Sequence, residues 1–274
     1  MKPNHTGLLL AVLVLTVALV LPGCIALDGI GATFTDTFEE TYPVVAGARL
    51  DVQNQNGSIT IVATDGNSIV VRAVKRTIYG KSEFDKIQIE VTKGDPFTVV
   101  TKVLRVPARV SVDYELSVPR SMLVRTVVTT NGPVEATGVQ GRMELHTSNG
   151  SVTAQNIDGA VRAVTTNGNV TLRKVAAITG ATTTNGNIEC EVPALDGTAV
   201  DIHTTNGSVT LWVAPDLPAT LEASTTNGNV ETDGVTLNNA TESKHSIRGD
   251  LGVPKGILSA RTTNGNLTVH RLNP

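Results

Sequence analysis

Hydrophobic and polar positions alternate with a period of two through most of the chain after residue 50. Clear runs are Leu50-Asp51-Val52, Ser58-Ile59-Thr60-Ile61-Val62, Lys86-Ile87-Gln88-Ile89-Glu90-Val91 and Val110-Ser111-Val112-Asp113-Tyr114-Glu115-Leu116. This alternation sends successive side chains to opposite faces of a strand. Turn signals separate the runs at Asn56-Gly57, Asp65-Gly66-Asn67 and Gly94-Asp95-Pro96. No window beyond the leader keeps a 3.6-residue apolar period, so the pattern predicts an all-β chain with little helix.

From residue 121 the alternation becomes a repeat. Thr-Thr/Ser-Asn-Gly recurs at Asn131-Gly132, Asn149-Gly150, Asn167-Gly168, Asn185-Gly186, Asn206-Gly207, Asn227-Gly228 and Asn264-Gly265. The gaps between successive Asn are 18, 18, 18, 21, 21 and 37 residues. The last gap is about two periods, which predicts a degenerate copy between Asn227 and Asn264. Periods near 20 residues mark solenoids and arrays.

Each offset from the Asn has one character. Two before it stand Thr129, Thr147, Thr165, Thr183, Thr204, Thr225 and Thr262. Four before stand Val127, Leu145, Ala163, Ala181, Ile202, Ala223 and Ala260, and three after stand Val134, Val152, Val170, Ile188, Val209, Val230 and Leu267. Four after the Asn every residue is polar, and five after most are apolar. A unit is therefore strand, tight bend, strand. Asn-Gly is expected to supply the bend, since Gly adopts positive φ without steric cost and Asn at a small one.

Two architectures fit a single unit, a type I′ hairpin or one rung of a β-solenoid. The identity of residues down each column favours the solenoid. Rungs stack about 4.8 Å apart, where like side chains can form ladders of Thr hydroxyls and Asn amides along the axis. The slim Ala, Val and Thr interior suits two close sheets.

Composition adds a boundary. Seven of the eight aromatics precede residue 115, and Trp212 alone follows it. That step falls near Pro119–Ser121. It divides a β-rich N-terminal part, residues 50–120, from the tandem-repeat solenoid, residues 121–274. Net charge is −3 with 17% charged residues, and no basic face is evident, so a nucleic-acid partner is not expected.

The leader supplies an address. Lys2 precedes 14 uncharged, mostly apolar residues from Leu8 to Leu21. That length matches the apolar core of an export signal, since a membrane span needs about 20 residues. Residues 1–23 read as the signal and 24–49 as an anchor or linker. Leu21-Pro22-Gly23-Cys24 resembles the lipobox of prokaryotic lipoproteins, although Pro22 departs from the usual small or aliphatic residue. The resemblance implies cleavage before Cys24 and lipidation of its thiol. The folded part is then extracytoplasmic and membrane-anchored. The other cysteine, Cys190, falls on an inward column and reads as a buried small hydrophobe.

The lead-in Val112-Asp113-Tyr114-Glu115-Leu116-Ser117-Val118-Pro119 followed by tandem Thr-x-Asn-Gly rungs resembles the DUF4097 family of prokaryotic envelope proteins, over about Leu50 to Leu272. The resemblance implies a β-solenoid and a non-enzymatic role as a cell-surface adhesin, binding or scaffold module. The partner would be an extracellular or envelope protein or a glycan. The alternative it raises is an envelope-stress or regulatory module working through a membrane protein.

The remaining chemistry is sparse. A polysaccharide-active β-helix would need acids converging on one patch. Asp201 and Glu222 are expected on adjacent rungs, whereas Glu135 and Glu189 lie three rungs apart, about 14 Å. His146 and His203 are likewise three rungs apart, too far to share a metal. No cofactor or metal is expected. Arg248-Gly249-Asp250 is a chance-level match to an integrin-binding tripeptide and falls in the degenerate copy. Asn56, Asn149, Asn169, Asn206, Asn239 and Asn266 match the glycosylation acceptor pattern, several as by-products of the repeat. Trp212 falls on an outward column, where it is either a partner contact or packed under the Pro215–Pro218 loop.

Overall fold

Alternation with a two-residue period is realised as strands wherever a column of apolar side chains finds an interior. The computed structural model describes residues 33–273; the proposed leader and Cys24 lie outside the described residues. In chain order the first strands are β1 (Phe34–Pro43), β2 (Arg49–Gln53), β3 (Ile59–Thr64) and β4 (Ser68–Thr77), then a 3-10 turn at Lys81–Lys86. Next come β5 (Ile87–Thr92), β6 (Phe97–Val103), β7 (Ser111–Pro119), β8 (Leu123–Val128), β9 (Val134–Thr137), β10 (Met143–His146) and β11 (Val152–Val164). The chain continues through β12 (Val170–Asn185), β13 (Ile188–Val192), β14 (Ala199–Asn206), β15 (Val209–Val213), β16 (Ala219–Asn227) and β17 (Val230–Asp233). It ends with β18 (Asn238–Ser243), β19 (Ser246–Asp250), β20 (Gly256–Asn264) and β21 (Leu267–Arg271).

The repeat is a β-solenoid. Each Asn-Gly joins a strand of one face to a strand of the other, and the two strands of a unit pair with neighbouring units rather than with each other. The pairing is parallel and keeps the columns in register: Val152 lies beside Val134 and Val170, and Val170 beside Ile188. This excludes the hairpin. The long strands β11 and β12 run from one face to the next coil, bending at Asn156 (φ 54°) and Lys174 (φ 50°). The inward columns four before, three after and mostly five after each Asn are buried, Cys190 among them.

Spatial order departs from chain order at both ends. On one face the sequence of neighbours is β5, β6, β2, β8, β10, β11, β12, β14, β20, β16, β19, β18. On the other it is β1, β4, β7, β3, β9, β11, β12, β13, β15, β21, β17. The first rung in the chain, β2–β3, sits second in the stack, between β6–β7 and β8–β9. The last rung in the chain, β20–β21, sits second from the other end, between β14–β15 and β16–β17.

Two expectations are corrected here. The segment between Asn227 and Asn264 is not a degenerate rung. It forms the antiparallel hairpin β18–β19, which pairs along β16 and closes that edge. Asn56-Gly57 is not a simple turn in a lead-in but the corner of a full rung, bridged to Asn131. Its offsets Val52, Ile59 and Ile61 obey the column rules, and only Asn54 replaces the Thr. Stacking therefore continues across the compositional step at Pro119–Ser121.

The aromatics of the first half belong to a broader end of the core. Tyr42 and Phe97 meet edge to face with centroids 5.6 Å apart, and Tyr114 is fully buried. There the antiparallel strands β1, β4 and β5 cover the end rung. Capping of this kind hides strand edges that would otherwise template pairing.

Candidate functional site

The Asn corners form one continuous ladder along an edge of the stack. Each side-chain amide donates Nδ2–H to the Oδ1 of the preceding rung, in the order Asn227, Asn264, Asn206, Asn185, Asn167, Asn149, Asn131, Asn56. The distances are 2.6 Å for the Asn131–Asn56 bond and 2.8 Å for the others. A chain of amides in this arrangement is mutually polarised. Sites Asn149 and Asn206 of the glycosylation pattern commit their nitrogens to it.

The Thr column does not form its own ladder, contrary to expectation. Each buried hydroxyl donates instead to the corner-glycine carbonyl of the neighbouring rung, as Thr147 does to Gly132 at 2.9 Å and Thr183 to Gly168 at 2.9 Å. All seven Thr hydroxyls reach such a carbonyl, at 2.8 to 3.2 Å. Thr183→Val should therefore cost about 1–2 kcal/mol, because the Gly168 carbonyl loses its side-chain donor in a dry interior. Thr183→Ser should recover most of that loss in a melting experiment. In the Asn56 rung Asn54 takes the same place, donating to the Val112 carbonyl at 2.7 Å and accepting from Thr101 at 3.0 Å. Thr101 in turn meets the Tyr114 hydroxyl at 2.7 Å, and burial pushes that phenol up to about 12.

Glycine at the corners is required by crowding as well as by φ. A Cβ on Gly186 would lie 2.0 Å from the Gly168 carbonyl oxygen, and one on Gly150 would lie 2.2 Å from that of Gly132. Neither glycine has a left-handed φ, and none of the corner Asn residues does. At Gly57, Gly132, Gly168, Gly207 and Gly265 the corner φ is positive, between 117° and 156°, as expected of the glycine in the Asn-Gly bend, so the corner uses both glycine's conformational freedom and its lack of a Cβ. A second set of polar contacts, missed in the sequence, runs two positions after the corner. Asn169 Oδ1 accepts the Asn187 N–H at 2.9 Å, and Asn187 Oδ1 accepts the Ser208 N–H at 2.9 Å. Its signal was the recurrence of Asn or Ser at that offset.

Trp212 lies on the outward flank of the second face, beside Glu191 and His270. Its ring stacks on His270 with centroids 5.6 Å apart and 20° between planes, and the Arg173 guanidinium lies 5.7 Å from the ring centre. His270 Nδ1 is 3.1 Å from Asp233. A shallow groove of about 480 Å³ runs past Glu191, Trp212, Asp233, His270 and Arg271. Neighbours along the column occupy the faces of the indole, so the groove offers its edge and a row of alternating charges.

The intercalated rung also separates the acid pair. Ser259 stands between Asp201 and Glu222, and each acid is bound to an arginine, Arg261 at 3.0 Å and Arg248 at 2.9 Å. Arg248-Gly249-Asp250 lies within β19, with Asp250 accepting from Thr220 at 2.7 Å. His146 and His203 do lie three rungs apart. Among the described residues no group of three His, Cys, Asp or Glu is placed to hold a metal ion.

Three carboxylates outside these columns are held below their ordinary range: Glu83 chiefly by a hydrogen bond from Lys86, Asp95 by Arg49, and Asp250 by Thr220 and Asn239. Carboxylates with a lowered folded-state pKa stabilise the fold above their unfolded value, and the benefit disappears as pH falls through the folded value. The melting temperature should therefore hold steady near neutrality and fall from about pH 4 downward. A melt series across pH 2–7 (roughly the carboxylate range) checks this, and a flat profile would refute it.

A parallel β-solenoid with an asparagine-laddered edge and capped ends is the class these contacts define. A sequence profile described as Toastrack DUF4097 matches residues 30–270, and the chain belongs to that family. No curated protein matches. The chain is similar to a crystal structure of a proposed adhesin from Bacteroides fragilis, with 13% identity, 86% of this chain and 97% of that chain covered, and a TM-score of 0.41. It is also similar to a proposed cell adhesion protein from Clostridium sporogenes, with 12% identity, coverage of 86% and 100%, and a TM-score of 0.35. A proposed adhesin from Parabacteroides merdae shows 11% identity, coverage of 86% and 96%, and a TM-score of 0.31.

Proposed function

We propose that this protein is a lipid-anchored, non-enzymatic binding module of the cell surface, of the adhesin or scaffold kind. The observation that carries the reading is the unbroken ladder from Asn56 to Asn227. It makes the stack a stiff support whose interior is filled and whose chemistry faces outward. Among the described residues no buried side-chain N or O lacks a hydrogen-bond partner. The outward acids Glu144, Glu189, Asp201 and Glu222 are each paired with an arginine rather than converging on a reacting centre. Exposed pairs of this type contribute about 0–1 kcal/mol each to stability, so they are free to be exchanged for a partner's groups.

The Trp212 groove is the proposed contact surface. Its alternating Arg173, Glu191, His270 and Asp233 suit a polar or mixed-charge protein surface. With the indole faces occupied, stacking of a sugar ring is disfavoured. Trp212→Ala combined with Arg173→Glu should abolish binding of the purified protein to intact cells or their surface extracts. The melting temperature should stay within a few degrees of wild type, about 1 kcal/mol. Hydrolase or lyase activity on a panel of polysaccharides would overturn the non-enzymatic reading. Recovery of a membrane sensor as the sole partner would turn the module into a regulator of that sensor.

A further inference from the structure

The end of the stack opposite the Trp212 flank carries an apolar tip made of two loops. One follows β4 and runs through the 3-10 turn; the other is the corner between β6 and β7. Ile78, Tyr79, Leu104 and Val106 are 61%, 55%, 54% and 86% exposed, and these two loops hold four of the nine exposed large apolar side chains among the described residues. The two loops are locked together. Thr77 Oγ1 donates to the Arg109 carbonyl at 2.7 Å, and the Leu104 N–H to the Lys86 carbonyl at 2.7 Å. Lys86 Nζ donates to the Pro107 carbonyl at 3.1 Å, and the Arg109 N–H to Glu83 at 2.9 Å. Exposure on so well-tied a frame is not fraying; the apolar groups are held outward.

We propose that this tip docks on the surface of an anionic lipid bilayer. Cations surround the apolar side chains. Arg109 lies 4.5 Å over the Tyr79 ring, and Lys81 and Arg105 are exposed and make no ion pair among the described residues. Of the two acids in the loops, Glu83 is bound to Lys86 and Arg109, which leaves Asp85. Aliphatic and tyrosyl side chains ringed by Lys and Arg match the boundary between acyl chains and anionic headgroups. Chain geometry puts the tip beside the membrane as well. Phe34, the first residue of β1, pairs with Thr77, adjacent to Ile78. Nine residues separate Phe34 from Cys24, a reach of at most about 35 Å. An anchor at Cys24 thus holds this end close to the lipid. The Trp212 rung is six rungs further along, about 29 Å. This placement rests on the proposed anchor, while the affinity of the tip does not.

The test uses residues 25–274, since the compact unit of the fold begins at Thr33. The unlipidated protein is sedimented with phosphatidylcholine vesicles, with and without phosphatidylglycerol. Wild type should bind the anionic vesicles, more weakly as salt rises. Leu104→Ser with Val106→Ser should weaken that binding about tenfold or more, and Lys81→Glu with Arg105→Glu should do likewise, with melting temperatures unchanged. Trp212→Ala should bind as wild type. Absence of wild-type binding, equal binding by the loop variants, or loss in those variants of a dimer seen without lipid would overturn the proposal. Mass spectrometry of full-length protein from membranes reads the anchor separately. Acylated Cys24 with inert vesicles removes the tip alone, and unmodified Cys24 with active vesicles removes the anchor alone.

Discussion

Gly186→Ala is expected to destabilise the protein by about 3 kcal/mol or more, a single methyl placed where no neighbour can yield. The added carbon would sit 2.0 Å from the oxygen and 2.5 Å from the carbon of the Gly168 carbonyl. Overpacking of a close-packed site costs about 1–3 kcal/mol when the surroundings can move, and more when they cannot. Here both backbones are pinned. The Gly168 N–H donates to Asn185 at 2.9 Å, the Gly186 N–H to Asn206 at 3.0 Å, and the Asn ladder fixes the spacing from outside. For a domain of this size 1 kcal/mol moves the melting temperature by about 2–4 °C, so a fall near 10 °C is expected. Gly66→Ala is the control. Its φ is +111° but a Cβ there meets nothing within 4 Å, so it should lose only about 1 kcal/mol. Equal losses at both sites would mean that backbone conformation rather than rung contact demands glycine at the corners.

Val170→Asp should cost about 4 kcal/mol, while Thr171→Asp one residue away should change stability by less than about 1 kcal/mol. Val170 is fully buried between Val152 and Ile188, with aliphatic side chains above and below it in the stack. A lone carboxylate there has no partner, and isolated buried charges rank among the most damaging substitutions. Thr171 points outward between Thr153 and Glu189, and the Glu189 carboxylate is already held by Arg173 at 2.7 Å. Chemical denaturation of the two variants separates the faces directly. Similar midpoints would contradict the inward assignment of the whole column.

The intercalated ends have a consequence for assembly. Rung β20–β21 enters between two rungs that precede it in the chain, and β2–β3 receives partners on both sides from later segments. Neither end strand of the chain is left as an open parallel edge. The edges that remain belong to β1, β5, β17 and β18. Of these β18 is exposed along its whole length and polar at five of its six positions, all but Ala240, while β1 carries Asp36, Glu39 and Glu40. Charged or polar edges discourage pairing with a second chain.

Much of this was legible in the chain itself. Period-two alternation, the Thr-x-Asn-Gly spacing and uniform columns determined the strands, the corners, the inward faces and the choice of stacked rungs over separate hairpins. Those features depend on neighbours a few residues away and on like residues meeting at one height, both of which a linear pattern records. The order of the rungs is different. Asn264 and Asn227 have equivalent corners, so nothing local says which one seats on Asn206. The local pattern therefore reads the 37-residue gap as a lost copy and places Asp201 beside Glu222. The same holds for the true partner of each Thr hydroxyl, the crowding behind each corner glycine, the stacking of Trp212 on His270, and the tying of the loop after β4 to the β6–β7 corner. Each arises from atoms brought together across tens of residues, and only packing in three dimensions selects among pairings that the local pattern leaves equal.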